Sequence, residues 1–273
     1  MTTSMNRRRW NRRIATVLFI GSIVAAIAAS ASAMDGVSTE AGPEGPAQIA
    51  YAPGPWPGPV IIVISGKTGP VLYQSYAEEL AKLGYYTVLL TGKDILNPEL
   101  TGEASLKKAI DRAQHSPHAV PGKAAVIGFS LGGGGALYNA TPLSNLVSMV
   151  VAYYPYTKTW ANRTDMFVKR FQVPVLLLVA QRDRYMDCCV IETAQAIEVA
   201  AKQNGKQFEL VVYPEANHGF NLQTGAEGEP AGAYRRDDDI DAWRRTVKML
   251  KLYHPLLKSN SKTVAPIGNV PKK

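Results

Sequence analysis

The sequence predicts an α/β fold: a mostly parallel sheet with helices packed on both faces. Three observations carry that expectation. Short apolar runs alternate along the chain with helical patterns, the signature of strands joined by crossover helices. The runs Val60–Ser65 (VIIVIS) and Val173–Val179 (VPVLLLV) are apolar almost throughout, as befits strands buried on both faces. The hexapeptide GFSLGG, Gly128 to Gly133, joins a short apolar run to a small-residue helical pattern, so strand, tight turn and helix succeed one another there.

Residues 34–58 are rich in Pro, Gly and small polar residues and read as a linker and irregular lead-in to a domain spanning 59–254. Val60–Ser65 is the first buried strand, and the glycine-bearing loop Gly66-Lys67-Thr68-Gly69-Pro70 comes after it. Tyr73–Leu83 is amphipathic and meets a helix stop at Gly84. Tyr85–Leu90 is a strand, Glu103–His115 a helix, Lys123–Ile127 a strand and Leu131–Asn139 a helix. Leu146–Ala152 and Val173–Val179 are strands, Val190–Gln203 a helix, Phe208–Val212 a strand and Asp239–Leu252 a final amphipathic helix. Ligands of such sheets bind beyond the C-terminal ends of the strands.

The 273 residues suffice for one large α/β domain. The net charge of +8 is concentrated at the ends. Without Arg7, Arg8, Arg9, Arg12, Arg13, Lys258, Lys262, Lys272 and Lys273, 21 basic residues face 22 acidic ones. The body therefore lacks the basic, aromatic-interleaved face of a nucleic-acid binder. Residues 1–33 read as an export signal: a basic stretch to Arg13, an apolar stretch Ile14–Ala29, and Ala31-Ser32-Ala33 as cleavage site. The apolar stretch is shorter than the roughly 20 residues of a spanning helix, and an uncleaved membrane anchor is the alternative. Arg12-Arg13 admits twin-arginine export, although its neighbours fit that signal poorly. The body is expected outside the cytoplasmic membrane, periplasmic or secreted, with a basic tail at 255–273. The two cysteines, Cys188 and Cys189, are adjacent. They are expected as thiols at a helix start, one of them buried, with a strained vicinal disulfide as the alternative.

The chemistry centres on Ser130. Gly128-x-Ser130-x-Gly132 fits the G-x-S-x-G turn that lifts a serine hydroxyl above a sheet, where a base and a substrate can both reach it. A hydroxyl needs a base to take its proton and a third group to orient that base. Of four histidines, His115 and His118 precede the serine and His254 ends the last helix, whereas His218 directly succeeds a strand. His218 is the expected base. Asp183, just past Val173–Val179, is the expected acid. Its competitor Asp187 is assigned to the N-cap of the next helix, and pairing of Asp183 with Arg182 or Arg184 is the plainer alternative. Backbone N–H groups of Leu131 and Lys67, with Gly66 close behind, are the expected oxyanion donors. Tyr153 to Tyr156 and Tyr185 are placed near the pocket, with Tyr154 and Tyr185 as lining candidates. Lys67, Lys93 and Arg184 are candidates to favour an anionic substrate. No cofactor or metal is required: the histidines are few and scattered for a metal site, and the glycine run lacks the dinucleotide fingerprint.

Together GFSLGG, VPVLLLVAQRD, YPEANHGF and YAEELAKLGYYTVLL resemble the dienelactone hydrolase family of the α/β-hydrolase superfamily, over roughly Val60 to Leu252. The resemblance implies an α/β-hydrolase fold and Ser130, Asp183 and His218 as a triad. Dienelactone hydrolases proper carry a cysteine nucleophile and an acidic residue in the first loop, where this chain has Ser130 and Gly66-Lys67. Those departures point to a more general serine esterase or related acyl hydrolase acting on a small-molecule ester. A non-catalytic binding protein of the same fold is the alternative.

Overall fold

The computed structural model describes residues 35–99, 101–223 and 234–256. The export signal expected at 1–33 and most of the tail expected at 255–273 lie outside the described residues. Eight strands form one sheet in the order β1-β2-β4-β3-β5-β6-β7-β8. They are β1 (Val37–Thr39), β2 (Gln48–Tyr51), β3 (Gly58–Ile64), β4 (Tyr86–Leu90), β5 (Ala119–Phe129), β6 (Val147–Tyr153), β7 (Val175–Ala180) and β8 (Phe208–Tyr213). β3 to β8 pair in parallel, while β2 pairs antiparallel with β4 and β1 antiparallel with β2.

The helices are α1 (Gln74–Lys82), α2 (Gly92–Ile95), α3 (Gly102–Gln114), α4 (Leu131–Gly135), α5 (Thr164–Lys169), α6 (Ile191–Gln203) and α7 (Arg236–Tyr253). Alternation along the strands assigns them to faces. Val60, Ile62 and Ile64 of β3 belong to the core cluster that holds residues of α3, α5 and α6, whereas Ile61 and Val63 belong to the one that holds Ala77, Leu80 and Ala81 of α1 and Leu250 of α7. Both faces of β3 are thus dry, which is why the strand reads as an unbroken apolar run. α1 ends in a Schellman motif: Gly84, at φ +104°, donates to Ala81 O and Tyr85 donates to Leu80 O.

Three features differ from the expectation. The segment read as an irregular lead-in contains β1 and β2. β2 has only four residues, too few to show a period, and it is the pairing Gln48 to Tyr51 with Leu90 to Thr87 that makes it a strand. The helix expected over Leu131–Asn139 is α4 continued by a π-turn, Ala136–Ala140. α5 was not foreseen; its six residues bury Phe167 and Val168.

Strand order reverses at β3: the chain passes from β3 to β4 on one side and returns to β5 on the other. The crevice this leaves lies at the C-terminal ends of β3 and β5. Those ends carry Gly66-Lys67 and Ser130.

Candidate active site

Ser130 sits between β5 and α4 at φ 51° and ψ −116°. A non-glycine residue there costs about 1–3 kcal/mol and persists only where its surroundings impose it. They do: Ser130 N–H donates to Tyr153 O at 3.0 Å, and Ser130 O accepts from Gly134 N–H at 3.0 Å and Tyr156 N–H at 2.8 Å. The turn also needs Gly132, since a Cβ there would collide with the backbone carbonyls of Ile64 and Ser65. Glycine therefore lets the elbow close onto the end of β3.

His218 lies just past β8 and Asp183 just past β7, and backbone bonds hold the two loops together. Gln181 N–H donates to Tyr213 O and Arg182 N–H to Ala216 O, each at 3.0 Å. His218 Nδ1 lies 2.7 Å from Asp183 Oδ2, and Nε2 lies 2.9 Å from Ser130 Oγ. All three groups are buried, with Asp183 1% and His218 5% exposed. An ionised carboxylate only accepts, so Nδ1 carries the proton and Nε2 is left to accept from the Ser130 hydroxyl. The remaining Asp183 oxygen, Oδ1, accepts Tyr185 N–H at 3.0 Å. Neither neighbouring arginine competes for the carboxylate: Arg182 pairs with Glu215 and Arg184 lies 3.9 Å from Glu192.

Two aromatic rings hold the imidazole. Tyr185 stacks on it with centroids 4.6 Å apart and planes 19° apart, and Tyr154 meets it edge-on at 4.7 Å. Tyr154 is 1% exposed, with its hydroxyl donating to Asn221 Oδ1 at 2.7 Å. It packs behind the histidine and does not line the cavity, whereas Tyr185 does. Beneath the elbow, Tyr153 Oη bonds Thr246 Oγ1 at 2.7 Å and Tyr76 Oη at 3.1 Å. Burial pushes the Tyr153 phenol well up, so this network stays neutral.

Ser130 opens into a cavity of about 1100 Å³ whose lining includes Lys67 and Leu131. One wall is aromatic and apolar: Tyr138, Tyr156, Trp160, Tyr185, Leu96 and Met186. Among the described residues that line it, Lys67, Lys93, Lys158 and Arg163 stand exposed beside one acid, Glu99. Arg184 is not among the lining residues. Trp160, Lys158 and Arg163 were missed by the sequence reading. Their only signal was the long crossover between β6 and β7, in which aromatic and basic residues are mixed without a period.

Two further expectations are corrected. Cys188 and Cys189 are bonded to each other, not free thiols. They lie in a turn rather than in a helix, and this is what lets two neighbouring side chains meet. Asp187 does not cap α6: that helix begins at Ile191 with Val190 before it and no side-chain cap, while Asp187 sits in the turn Tyr185–Asp187. Among the described residues, Cys188, Cys189 and His218 form one cluster of metal-ligating types, within 4.8 Å of one another. Its chemistry does not suit a metal, because bonded sulfurs are not thiolates and the histidine is engaged at both nitrogens.

Comparison with known proteins agrees with this fold. One curated relative, an uncharacterized peptidase YuxL of Bacillus subtilis (strain 168), is 30% identical over 86 residues. That match covers 32% of this chain and only 12% of the relative. Among solved structures, a dienelactone hydrolase-like promiscuous phosphotriesterase P91 from metagenomic libraries superposes with a TM-score of 0.64 at 17% identity, covering 76% of this chain and 92% of that one. Thermogutta terrifontis esterase 2, phosphonylated by sarin, gives a TM-score of 0.56 at 16% identity, covering 78% and 91%. The two structural likenesses show the α/β-hydrolase fold. The model of the dienelactone hydrolase family matches residues 90–254, more than half of the sequence, and the chain therefore belongs to the dienelactone hydrolase family.

Proposed function

We propose that the protein is an exported serine hydrolase that cleaves carboxylic esters through an acyl-enzyme on Ser130. The observation that carries this reading is the unbroken hydrogen-bonded chain from Ser130 Oγ, which lines the cavity, through His218 to Asp183. Family membership supports the hydrolytic class. Ser130 Oγ attacks the ester carbonyl carbon as its proton passes to His218 Nε2, and the Asp183 carboxylate stabilises the imidazolium. The oxyanion is received by the backbone N–H groups of Leu131 and Lys67; one such donor is worth about 3 kcal/mol in the transition state. The C–O bond then breaks, the alcohol leaves with the proton from His218, and water releases the acid by the same route.

The lining supports a substrate class. The aromatic wall suits a bulky apolar or aromatic group, and the cationic rim suits an ester bearing a carboxylate or other anion. Export rests on the basic, apolar and Ala-x-Ala order of residues 1–33. It is supported by the Cys188–Cys189 disulfide, since disulfides persist in oxidising compartments.

Labelling with a fluorophosphonate, with the adduct mapped by mass spectrometry, tests the mechanism. The expected result is one adduct, on Ser130, lost in His218→Ala. A folded protein that takes up no label would instead be a non-catalytic binding protein of this fold.

A further inference from the structure

The turn that supplies Asp183 also supplies a ring to His218, and a bond between neighbouring cysteines closes that turn. Tyr185 stacks on His218 and its N–H is held by Asp183. Next come Met186 and Asp187, both left-handed at φ 50° and 51°. Two consecutive non-glycine residues in that region need an external hold. The Asp187 side chain is exposed and does not cap α6, so it does not provide one. The Cys188–Cys189 bond stands immediately after this pair. Cys188 N–H closes back on Tyr185 O at 3.0 Å, and Cys188 O accepts the N–H groups of Thr157 and Lys158 at 2.8 and 3.0 Å. Both cysteines are buried, Cys188 lines the cavity, and the sulfurs lie within 4.8 Å of a His218 ring nitrogen.

We infer that the Cys188–Cys189 disulfide is a redox-sensitive positioning element of the active site. Bonded, it fixes the turn so that Tyr185 holds the imidazole and its N–H holds the carboxylate. A dithiol reductant that reaches the cavity opens it. One thiolate attacks a cysteine sulfur, the S–S bond breaks, and a mixed disulfide forms. The second reductant thiol then displaces the other cysteine. Two electrons and two protons end on Cys188 and Cys189 as thiols, and the reductant leaves as its disulfide. Freed of the bond, the turn relaxes at Met186 and Asp187 and releases the Tyr185 ring from His218. The inference rests on the hydrolase reading above. It adds that the cysteines act on the reaction through Tyr185 and Asp183 without touching substrate.

The test compares the oxidised full-length protein with the same protein treated with dithiothreitol, two alkylated thiols being verified by mass spectrometry. Ester hydrolysis is measured across pH in both forms. The expected result is a fall in kcat of about 10- to 100-fold, the scale of an ångström-sized misplacement, with a smaller change in KM. A displaced acid limb of the kcat/KM profile and recovery on reoxidation are expected with it. Cys188→Ser/Cys189→Ser should match the reduced enzyme and ignore dithiothreitol. Tyr185→Ala should lower kcat and lose sensitivity to reductant. Two free thiols with kcat and the pH profile unchanged would overturn the inference, as would a loss that accompanies unfolding by near-UV circular dichroism. Fluorophosphonate labelling of the oxidised form separates failure of the hydrolase reading from failure of this one.

Discussion

Asp183→Asn isolates the orienting carboxylate, because the structure dictates how the new amide must sit. In the native site Oδ1 accepts Tyr185 N–H at 3.0 Å and Oδ2 faces His218 Nδ1 at 2.7 Å. The asparagine oxygen will stay on the Tyr185 N–H. Flipping the amide would set donor against donor in a buried place and leave polar groups unpaired, at about 1–3 kcal/mol. The amide nitrogen therefore faces Nδ1, which must become an acceptor. The proton moves to Nε2, now a donor towards Ser130 Oγ, so the imidazole cannot take the serine proton. That cost alone leaves about one molecule in five to one in 160 with the competent tautomer. Even those molecules lack the carboxylate charge that stabilises the imidazolium. Together these should lower kcat on the order of 10³- to 10⁴-fold, a barrier rise of about 4–5.5 kcal/mol. The assay is hydrolysis of an activated ester near pH 7.5, run beside fluorophosphonate labelling and far-UV circular dichroism. A folded variant that keeps more than about a tenth of native kcat would show that Asp183 is not the orienting acid.

Three other outcomes are expected. Burial lowers the His254 pKa from 6.5 to about 4, so the unfolded chain binds this proton first as pH falls. Stability contributed by the neutral imidazole is complete above pH 6.5 and is lost as pH drops towards 4, by about 2 kcal/mol between pH 7.5 and 5. Urea unfolding of His254→Asn, which can still reach Ser148 Oγ where Nδ1 bonds at 3.1 Å, should remove that part of the slope; parallel curves for the two proteins would refute the assignment. Gly132→Ala must push the elbow off the Ile64 and Ser65 carbonyls, so its urea midpoint should fall by the equivalent of about 1–3 kcal/mol and labelling of Ser130 should slow sharply. Lys67→Ala should lower the preference for a carboxylated over a neutral ester by about fivefold, the ~1 kcal/mol an exposed charge supplies; an unchanged ratio of kcat/KM values would remove Lys67 from substrate selection.

Much of the fold was legible because burial leaves a period in the chain. β3 and β7 are dry on both faces, so each shows an unbroken apolar run. α1 closes at a glycine because only the left-handed region completes its last turn. β1 and β2 were not legible: they are strands by virtue of pairing with β4 and each other, and three or four residues carry no pattern of their own. The helix after the elbow was read as one piece, but its second half widens into a π-turn where Asn139 reaches across to Ile95 O at 2.6 Å. That contact joins residues 44 apart in sequence and leaves no local trace.

The candidate site divides in the same way. Sequence alone determined which residue types stand at the ends of which strands, because a strained serine turn demands small neighbours and local chemistry is written locally. It therefore named Ser130, Asp183 and His218. Only the tertiary structure decided their distances, since these depend on β7 and β8 standing side by side with β5 two strands away. Nor could adjacency in sequence decide that Cys188 and Cys189 bond to each other. Two neighbouring side chains meet only in a turn that the rest of the fold must hold, and this one is anchored by the N–H groups of Thr157 and Lys158, far upstream in the chain. The aromatic and cationic lining of the cavity came last of all. Its residues share no motif and no period, and converge because β3 to β7 all end on the same side of the parallel sheet.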